Sequence, residues 1–198
     1  MNRTPAITKP RLVVIGASAG GVEALLTLLP PLPEDYPIPI LVVVHRPPRG
    51  DGMLQSLLSS QCALRVKEAE DKEDILPGVV YLAPANYHLL VEPNFRLSLS
   101  SEEPVNFSRP SIDLLFETAA DACGASAVGF ILTGANADGA RGLARICAAG
   151  GLAYVQSPSD AQSDAMPAAA LDACPTAAEL DLQGLKKALK NDLPVTLQ

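Results

Sequence analysis

The sequence has few aromatic and few basic residues. Its 198 residues include no tryptophan, and Phe, Trp and Tyr together make up 4%. The 22 Asp and Glu residues outnumber the 15 Lys and Arg residues, which gives a formal net charge of −7. Nucleic-acid binding depends on clustered basic side chains that neutralise phosphates, and no basic stripe is visible in this chain. The composition therefore argues against a nucleic-acid partner.

Long apolar runs and paired cysteine motifs are also missing. The apolar run after the N-terminal segment MNRTPAITKPR is too short for the core of a signal peptide, and no run is long enough to cross a membrane. Cys62, Cys123, Cys147 and Cys174 show no CxxC spacing. We therefore expect reduced thiols in the core rather than disulfides or a zinc site. The interpretation is a cytoplasmic protein without direct membrane insertion.

Apolar runs alternate with helix-like segments along most of the chain. The predicted strands are 11–15, 40–44, 127–132 and 152–155, and the predicted helices are 22–29, 52–59, 110–122 and 138–149. Pro110 suits the first turn of its helix. This alternation is typical of a parallel sheet that is covered on both faces.

Residues 79–99 have a different pattern. Three short extended runs, 79–82, 88–91 and 95–99, are separated by prolines and by Asn94. They predict an antiparallel hairpin or meander. We therefore predict one α/β domain over residues 10–190, with a doubly wound, mostly parallel sheet, helices on both faces and an antiparallel hairpin insertion.

The hexapeptide GASAGG, residues 16–21, is the most informative motif. It joins the first predicted strand to the first predicted helix, and Gly16 and Gly20 flank Ser18 as GxSxG. A strand, a glycine turn and a helix that present one hydroxyl are what a nucleophile elbow requires. The turn should be strained and crowded, and the helix N-terminus should stabilise a developing oxyanion. Ser18 is therefore the candidate nucleophile of a serine hydrolase.

A glycine-rich turn after a first strand more often binds a phosphate. A P-loop needs Lys and then Ser or Thr after its last glycine, but Val22 and Glu23 follow Gly21. A dinucleotide fingerprint needs glycine where Ser18 stands. The short-chain dehydrogenase pattern needs glycine at Val22 and a tyrosine with lysine four residues later, and both are missing. A nucleotide-binding oxidoreductase stays the third alternative, which an NAD(H) titration would test.

A serine nucleophile needs a general base, which is usually histidine. His45 follows the second predicted strand directly, at the carboxyl end where open α/β sheets place their chemistry. It also precedes the loop residues Arg46, Pro47 and Pro48. His88 lies inside a predicted hairpin strand and is interpreted as structural. His45 is therefore the candidate base.

The third group should be a carboxylate that fixes the imidazole tautomer. Asp138 follows the buried run 127–132 through a short turn, again at a strand's carboxyl end. An aspartate there is also a common helix cap, and it can serve both roles. Asp51 and Asp164 do not follow a comparable strand, and Asp113 is predicted in mid-helix. Position favours Asp138.

The sequence resembles the catalytic domain of the CheB-type protein-glutamate methylesterases. The resemblance rests on segments in family order across nearly the whole chain: IGASAGG at 15–21, VVVHRPP at 42–48, PGVVYLAP at 77–84, HLLV at 88–91, RPSIDLLF at 109–116, ILTGANADGARG at 131–142 and AMPAAA at 165–170. The family's nucleophile, base and orienting aspartate fall on Ser18, His45 and Asp138. The order Ser, His, Asp also differs from that of α/β-hydrolases.

The resemblance implies hydrolysis of γ-glutamyl methyl esters on the cytoplasmic helical domain of methylated chemoreceptors, and in some members deamidation of glutamines there. It implies no cofactor and no metal. The backbone N–H of Ala19 is the expected oxyanion donor, with Ala135 as a second, and Arg109 is a candidate substrate contact. Many members carry a receiver domain, which we do not expect in this chain.

Two departures from the family pattern lie close to the proposed site. The family usually has LTGMG where this chain has Ala135 and Asn136, and Ala165 precedes the MP pair, where glycine is common. The alternative hypothesis is therefore a catalytically weak or inactive receptor-binding module of the same fold.

Overall fold

The computed structural model of the protein describes residues 11–45 and 52–193. The strands in this part of the chain are β1 Leu12–Ala17, β2 Ile40–Val44, β3 Arg65–Glu68, β4 Val79–Leu82, β5 His88–Val91, β6 Leu97–Ser100, β7 Ala127–Ile131, β8 Leu152–Gln156 and β9 Ala178–Leu180. The α-helices are α1 Gly21–Leu28, α2 Met53–Gln61, α3 Ile112–Cys123, α4 Ala140–Ala148, α5 Ala165–Ala173 and α6 Leu182–Lys187.

The main sheet has the strand order β3-β4-β2-β1-β7-β8-β9, and every pair in it is parallel. Strands β5 and β6 form a separate antiparallel pair, with His88 opposite Ser100. The predicted fold class, a doubly wound parallel sheet with an antiparallel hairpin insertion, is confirmed.

The assignment of residues 79–82 to that hairpin is wrong. β4 lies in the main sheet, parallel to β2 and β3, because all four of its residues are buried like those of the other central strands. β3 and β9 were not predicted. Both are short strands at the edges of the sheet with exposed charged residues, so they lack the apolar run that marks a buried strand.

Apolar residues cover both faces of the sheet because successive side chains of a strand point to opposite faces. Leu12 and Val14 of β1 pack in the core with α3, α4 and α5. Val13 and Ile15 pack in the second core with α1, α2 and α6. A strand such as β1, with all six residues buried, therefore reads as a continuous apolar run.

Two predicted helix starts are corrected by the structure. α3 begins at Ile112 rather than Pro110, because Ser111 caps the helix by accepting a hydrogen bond from Leu114 N–H. Asp113 is consequently in the first turn of α3 and not in mid-helix. α4 begins at Ala140 rather than Asp138, and Gly139 precedes it with φ of 98°.

The prediction of four reduced thiols is wrong for one pair. Cys147 on α4 and Cys174 after α5 form a disulfide, with 6.8 Å between their Cα atoms. The packing of α4 against α5 brings the two cysteines together, although their sequence spacing gives no sign of it. Cys62 and Cys123 are free. Within the described ranges, no helix combines the length and apolar character needed to span a bilayer.

The strand order places three loops at one edge of the sheet. β1 lies between β2 and β7, and the carboxyl ends of all three parallel strands point the same way. After β1 the chain continues to β2 on one side, and it returns later to β7 on the other. Such a switch point is where open α/β sheets form their crevice. The loops that begin after Ala17, Val44 and Ile131 meet there.

Candidate active site

The turn after β1 holds Ser18 between two loops. Ser18 N–H donates to Thr133 O at 3.0 Å, and Ser18 O accepts from Gly21 N–H at 2.9 Å. Ser18 is half-buried. These two bonds fix the backbone of the serine relative to both β7 and the start of α1.

The glycines of GxSxG are required for different reasons. A Cβ on Gly16 would lie 2.3 Å from Ile112 Cγ2, so the start of α3 packs directly on this position. Gly20 has φ of 81°, and a Cβ there would also meet the Gln162 side chain at 2.5 Å. The predicted crowding is therefore present. The left-handed backbone falls on Gly20, however, and not on Ser18.

His45 follows β2 and is anchored by its own backbone, because its N–H donates to Ala17 O at 3.0 Å. Ser18 and His45 line one cavity of about 290 Å³, together with Glu23 and Gln162. Among the described residues, the Ser18 hydroxyl has no hydrogen-bond partner. The structure thus brings the predicted nucleophile and base to one cavity, without a hydrogen bond between them. Catalytic hydrogen bonds often tighten only when substrate is bound.

Asp138 holds the imidazole from the other side. His45 Nε2 lies 2.9 Å from Asp138 Oδ2. Because an ionised carboxylate only accepts hydrogen bonds, this contact places the imidazole proton on Nε2 and leaves the lone pair on Nδ1. Nδ1 is therefore the nitrogen that can act as a base.

Asp138 is almost fully buried and accepts hydrogen bonds from several groups. The donors, with distances to the nearer carboxylate oxygen, are Ile112 N–H at 2.7 Å, His45 Nε2 at 2.9 Å, Ser111 Oγ at 3.0 Å, Asp113 N–H at 3.1 Å and Asn106 Nδ2 at 3.3 Å. Burial alone would raise the pKa of this carboxyl, but the hydrogen bonds from His45, Ile112 and Asp113 together lower it. The carboxylate is thus held ionised in a buried place.

Asp138 also acts as a cap, although not of its own helix. Its carboxylate receives the N–H groups of Ile112 and Asp113 at the start of α3, whereas Gly139 precedes α4 without a side-chain cap bond. Asp113 in turn caps α4. Its Oδ1 accepts from Gly139 N–H at 3.0 Å and from Gly142 N–H at 2.8 Å at the start of that helix. Asp138 therefore caps α3, which carries Asp113, and Asp113 caps α4, which follows Asp138.

Asn136 is the second partner of the imidazole. Its Nδ2 lies 3.3 Å from His45 Nδ1, and its Oδ1 accepts from Asp138 N–H at 3.1 Å. This residue is one of the departures from the family pattern, and it lies directly at the base nitrogen.

The other predicted site residues have different surroundings. Ala19 and Ala135 are exposed, and the described residues provide no hydrogen-bond partner for either backbone N–H. Arg109 Nη1 donates to the carbonyls of Ser101 and Glu102 at 2.8 and 2.9 Å, so the guanidinium is bound to its own loop. Its role as a substrate contact stays a prediction. Arg46, Pro47 and Pro48 lie outside the described residues, as does Asp51.

Two of the rejected candidates, His88 and Asp164, have other surroundings. His88 is fully buried, with Nε2 at 3.1 Å from Glu103 O and Nδ1 accepting from Ser111 N–H at 3.1 Å. It therefore supports the loop that carries Ser111. Asp164 is exposed and precedes α5 without a side-chain cap bond.

Thr133 is a supporting residue that sequence reasoning missed. Its Oγ1 donates to Ala19 O at 2.8 Å and accepts from Ser163 N–H at 2.9 Å. Gln156 at the end of β8 accepts from Thr133 N–H at 2.9 Å. The sequence offers one signal for it: a polar residue directly follows the apolar run 127–132. Thr133 ties the serine turn to the segment that carries Gln162.

A second groove of about 690 Å³ is lined by residues of other segments. It shares Asn136 and Asp138 with the site and extends past Phe107, whose side chain is fully exposed, towards Arg141 on α4. Nowhere in residues 11–45 and 52–193 do three His, Cys, Asp or Glu side chains cluster in a way that could hold a metal ion. The described residues bring a hydroxyl, an imidazole and a carboxylate to the site.

Several known proteins are similar to this chain in sequence. Residues 13–189 match the family described as CheB methylesterase. A protein of Leptospira interrogans serovar copenhageni named "Putative protein-glutamate methylesterase/protein-glutamine glutaminase" is 52% identical over 161 residues, which are 81% of this chain and 83% of that protein. Protein-glutamate methylesterase/protein-glutamine glutaminase 3 of Burkholderia lata is 41% identical over 86% of this chain, which matches 48% of that longer relative.

The fold has a solved counterpart. The crystal structure of the Thermotoga maritima CheB methylesterase catalytic domain superposes with a TM-score of 0.86 at 32% sequence identity, covering 92% of this chain and 98% of that one. Sequence and fold agree over nearly the same residues. The chain therefore belongs to the CheB methylesterase family.

Proposed function

We propose that this protein is a serine hydrolase that removes methyl groups from glutamate γ-methyl esters on the cytoplasmic helices of chemoreceptors, and so acts in chemotaxis adaptation. The observation that carries the proposal is that His45, which lies 2.9 Å from Asp138, lines the same cavity as Ser18. Family membership supports the substrate class, because relatives bear the name protein-glutamate methylesterase/protein-glutamine glutaminase.

The proposed reaction has two steps. Ser18 Oγ attacks the ester carbonyl while His45 Nδ1 takes the hydroxyl proton, and the imidazolium then protonates the leaving methoxide, which departs as methanol. Nδ1 next takes a proton from water as the water attacks the acyl-serine. The serine oxygen leaves, regains the proton and frees the glutamate carboxyl. The same groups would hydrolyse a glutamine side chain, with ammonia as the leaving group.

Asp138 supports both steps without changing its own protonation state. Because it stays ionised, it keeps the proton of the neutral imidazole on Nε2 and stabilises the imidazolium that forms during proton transfer. Its other donors hold the carboxylate in place, so the imidazole is already oriented before substrate arrives.

The carbonyl oxygen becomes negative in the tetrahedral intermediate and needs donors. The N–H of Ala19 is suited to this role, because it lies beside Ser18 at the N-terminal side of α1 and has no partner among the described residues. Ala135 is the proposed second donor. Each such donor is worth roughly 3 to 4 kcal/mol in acyl-transfer enzymes.

The groove lined by Phe107 and Asn136 is the proposed binding site for the helical substrate. Its exposed Phe107 supplies an apolar contact, and its inner edge at Asn136 and Asp138 adjoins the candidate catalytic groups. We propose that a helix lies in this groove and that its methylated glutamate extends past Asn136 towards Ser18.

Ser18→Ala tests the proposal. We expect methanol release from methylated receptor to fall by several orders of magnitude while the circular dichroism spectrum stays that of the parent protein, because only the nucleophile is removed. Methanol release at the parent rate would reject Ser18 as the nucleophile.

The second candidate is a receptor-binding module with little or no esterase activity. It is favoured by one observation: Asn136 contacts the base nitrogen, whereas the Ser18 hydroxyl has no hydrogen bond to it or to any other described residue. Co-sedimentation with receptor, together with no methanol release and no labelling of Ser18 by a phosphonate, would select this alternative.

A further inference from the structure

We propose that Asn136 is a positioning residue that caps the base nitrogen of His45 in the resting protein, so that Ser18 gains its general base only when Asn136 is displaced. The inference rests on the proposed function of Ser18 and His45 and adds a control step to it. It concerns one contact, Asn136 Nδ2 to His45 Nδ1 at 3.3 Å.

The orientation of the Asn136 amide is fixed by its other end. Asp138 N–H donates to the side-chain oxygen at 3.1 Å, and an N–H can only be paired with an acceptor. The amide nitrogen must therefore be the group that faces His45. Asn136 thus presents a donor to the imidazole and not an acceptor.

The orientation of the imidazole proton makes this donor a competitor of Ser18. Asp138 holds the proton on Nε2, so Nδ1 carries one lone pair in the ring plane. That lone pair receives the Asn136 amide in the resting protein, and it must receive the Ser18 proton during catalysis. Two donors cannot both make a strong hydrogen bond to it. In agreement, the described residues provide no hydrogen-bond partner for the Ser18 hydroxyl.

The contact has the character of a displaceable cap. At 3.3 Å it is longer than the charge-assisted bond of 2.9 Å on the other side of the ring, and neutral hydrogen bonds are weaker than charge-assisted ones. Asn136 is half-buried and lines the groove that adjoins the site. A ligand in that groove would therefore contact Asn136, which in turn contacts His45.

Two variants separate this role from a merely structural one. Asn136→Ala removes the donor, so Ser18 should react faster with a fluorophosphonate in the absence of substrate, by about two- to tenfold for the loss of one neutral hydrogen bond. Asn136→Asp keeps an oxygen for Asp138 N–H but puts a carboxylate against Nδ1, which would favour a proton on that nitrogen. This variant should react more slowly than the parent protein. A residue that only supports the loop would slow the reaction in both variants.

The experiment measures the second-order rate of fluorophosphonate labelling, with peptide mapping of the adduct and circular dichroism of each variant. Faster labelling of Asn136→Ala together with slower labelling of Asn136→Asp supports the cap. Labelling of Asn136→Ala at or below the parent rate, or of Asn136→Asp at or above it, overturns the cap. If the folded parent protein gives no adduct on Ser18, the proposed function fails instead, so the two failures are distinguishable.

Discussion

Asp138 joins two tasks that are often carried by separate residues. One carboxylate oxygen receives His45 Nε2, and the same side chain receives the first N–H groups of α3. Removing its charge therefore affects both the imidazole and the helix, and activity and stability should change together.

Asp138→Asn tests this double role. An amide at this position can donate to the ring and so favour the wrong tautomer, and we expect kcat/KM to fall by about 10⁴-fold. The free energy of unfolding should also fall, by roughly 1 to 3 kcal/mol, because buried donors lose their charged acceptor. Methanol release and urea unfolding measure the two effects. Loss of stability at unchanged kcat/KM would show that Asp138 caps α3 without orienting the imidazole.

The acid stability of the protein should depend on the same carboxyl. The folded pKa of Asp138 lies below its ordinary value of 3.8, so the ionised group stabilises the native state at higher pH. This contribution is lost as the pH falls through the lowered pKa. The difference in unfolding free energy between the parent protein and Asp138→Asn should therefore be full at pH 7 and shrink below pH 4. A difference that grows on acidification would contradict the lowered pKa.

At the level of elements, α3 and α4 are linked by reciprocal capping. Asp113 receives Gly139 and Gly142 N–H at the start of α4, and it has no contact with His45. Asp113→Asn is therefore the matched control for Asp138→Asn. We expect a comparable loss of unfolding free energy, roughly 1 to 3 kcal/mol, with most of the activity retained. If it abolished methanol release as completely as Asp138→Asn, the effect on catalysis would have to be assigned to the helix pair rather than to the imidazole contact.

The elements that the sequence predicts well are those with a strong local pattern. The buried runs of β1, β2, β7 and β8 were placed within two residues at either end, because a strand covered on both faces is apolar throughout. The first residues of these strands were placed within one residue, whereas α3 and α4 each begin two residues later than predicted. Asp138 caps α3 from another segment, and such a cap leaves no mark in the sequence next to the helix it stabilises.

The same distinction holds for the site. The placement of Ser18, His45 and Asp138 at one edge of the sheet could be predicted because each directly follows, or lies one short turn beyond, an apolar strand, and parallel strands bring their carboxyl ends together. The contacts of Asn136 and Thr133 could not. They depend on the separation of side chains across loops, which only the folded arrangement of β1, β7 and β8 defines.

For the whole molecule, the disulfide between Cys147 and Cys174 makes stability depend on redox conditions. It closes a loop with a sequence separation of 27 residues, for which chain entropy gives roughly 3 to 4 kcal/mol. We expect a reductant, or Cys147→Ser, to lower the urea midpoint accordingly. Cys62→Ser is the control, since Cys62 is free and burial raises the pKa of its thiol. An unchanged midpoint under reductant, with four titratable thiols before its addition, would contradict the bond.

The pairing of β1 with β7 has a consequence for protein synthesis. Leu12 lies beside Ala127 in the sheet, and the serine turn takes its backbone partner from Thr133. A nascent chain that has reached only β4 can pair its early strands. It still lacks Thr133, whose carbonyl oxygen holds the backbone of Ser18, and Asp138, whose carboxylate orients the His45 imidazole. The proposed hydrolytic site can therefore assemble only after the segment through Asp138 has left the ribosome.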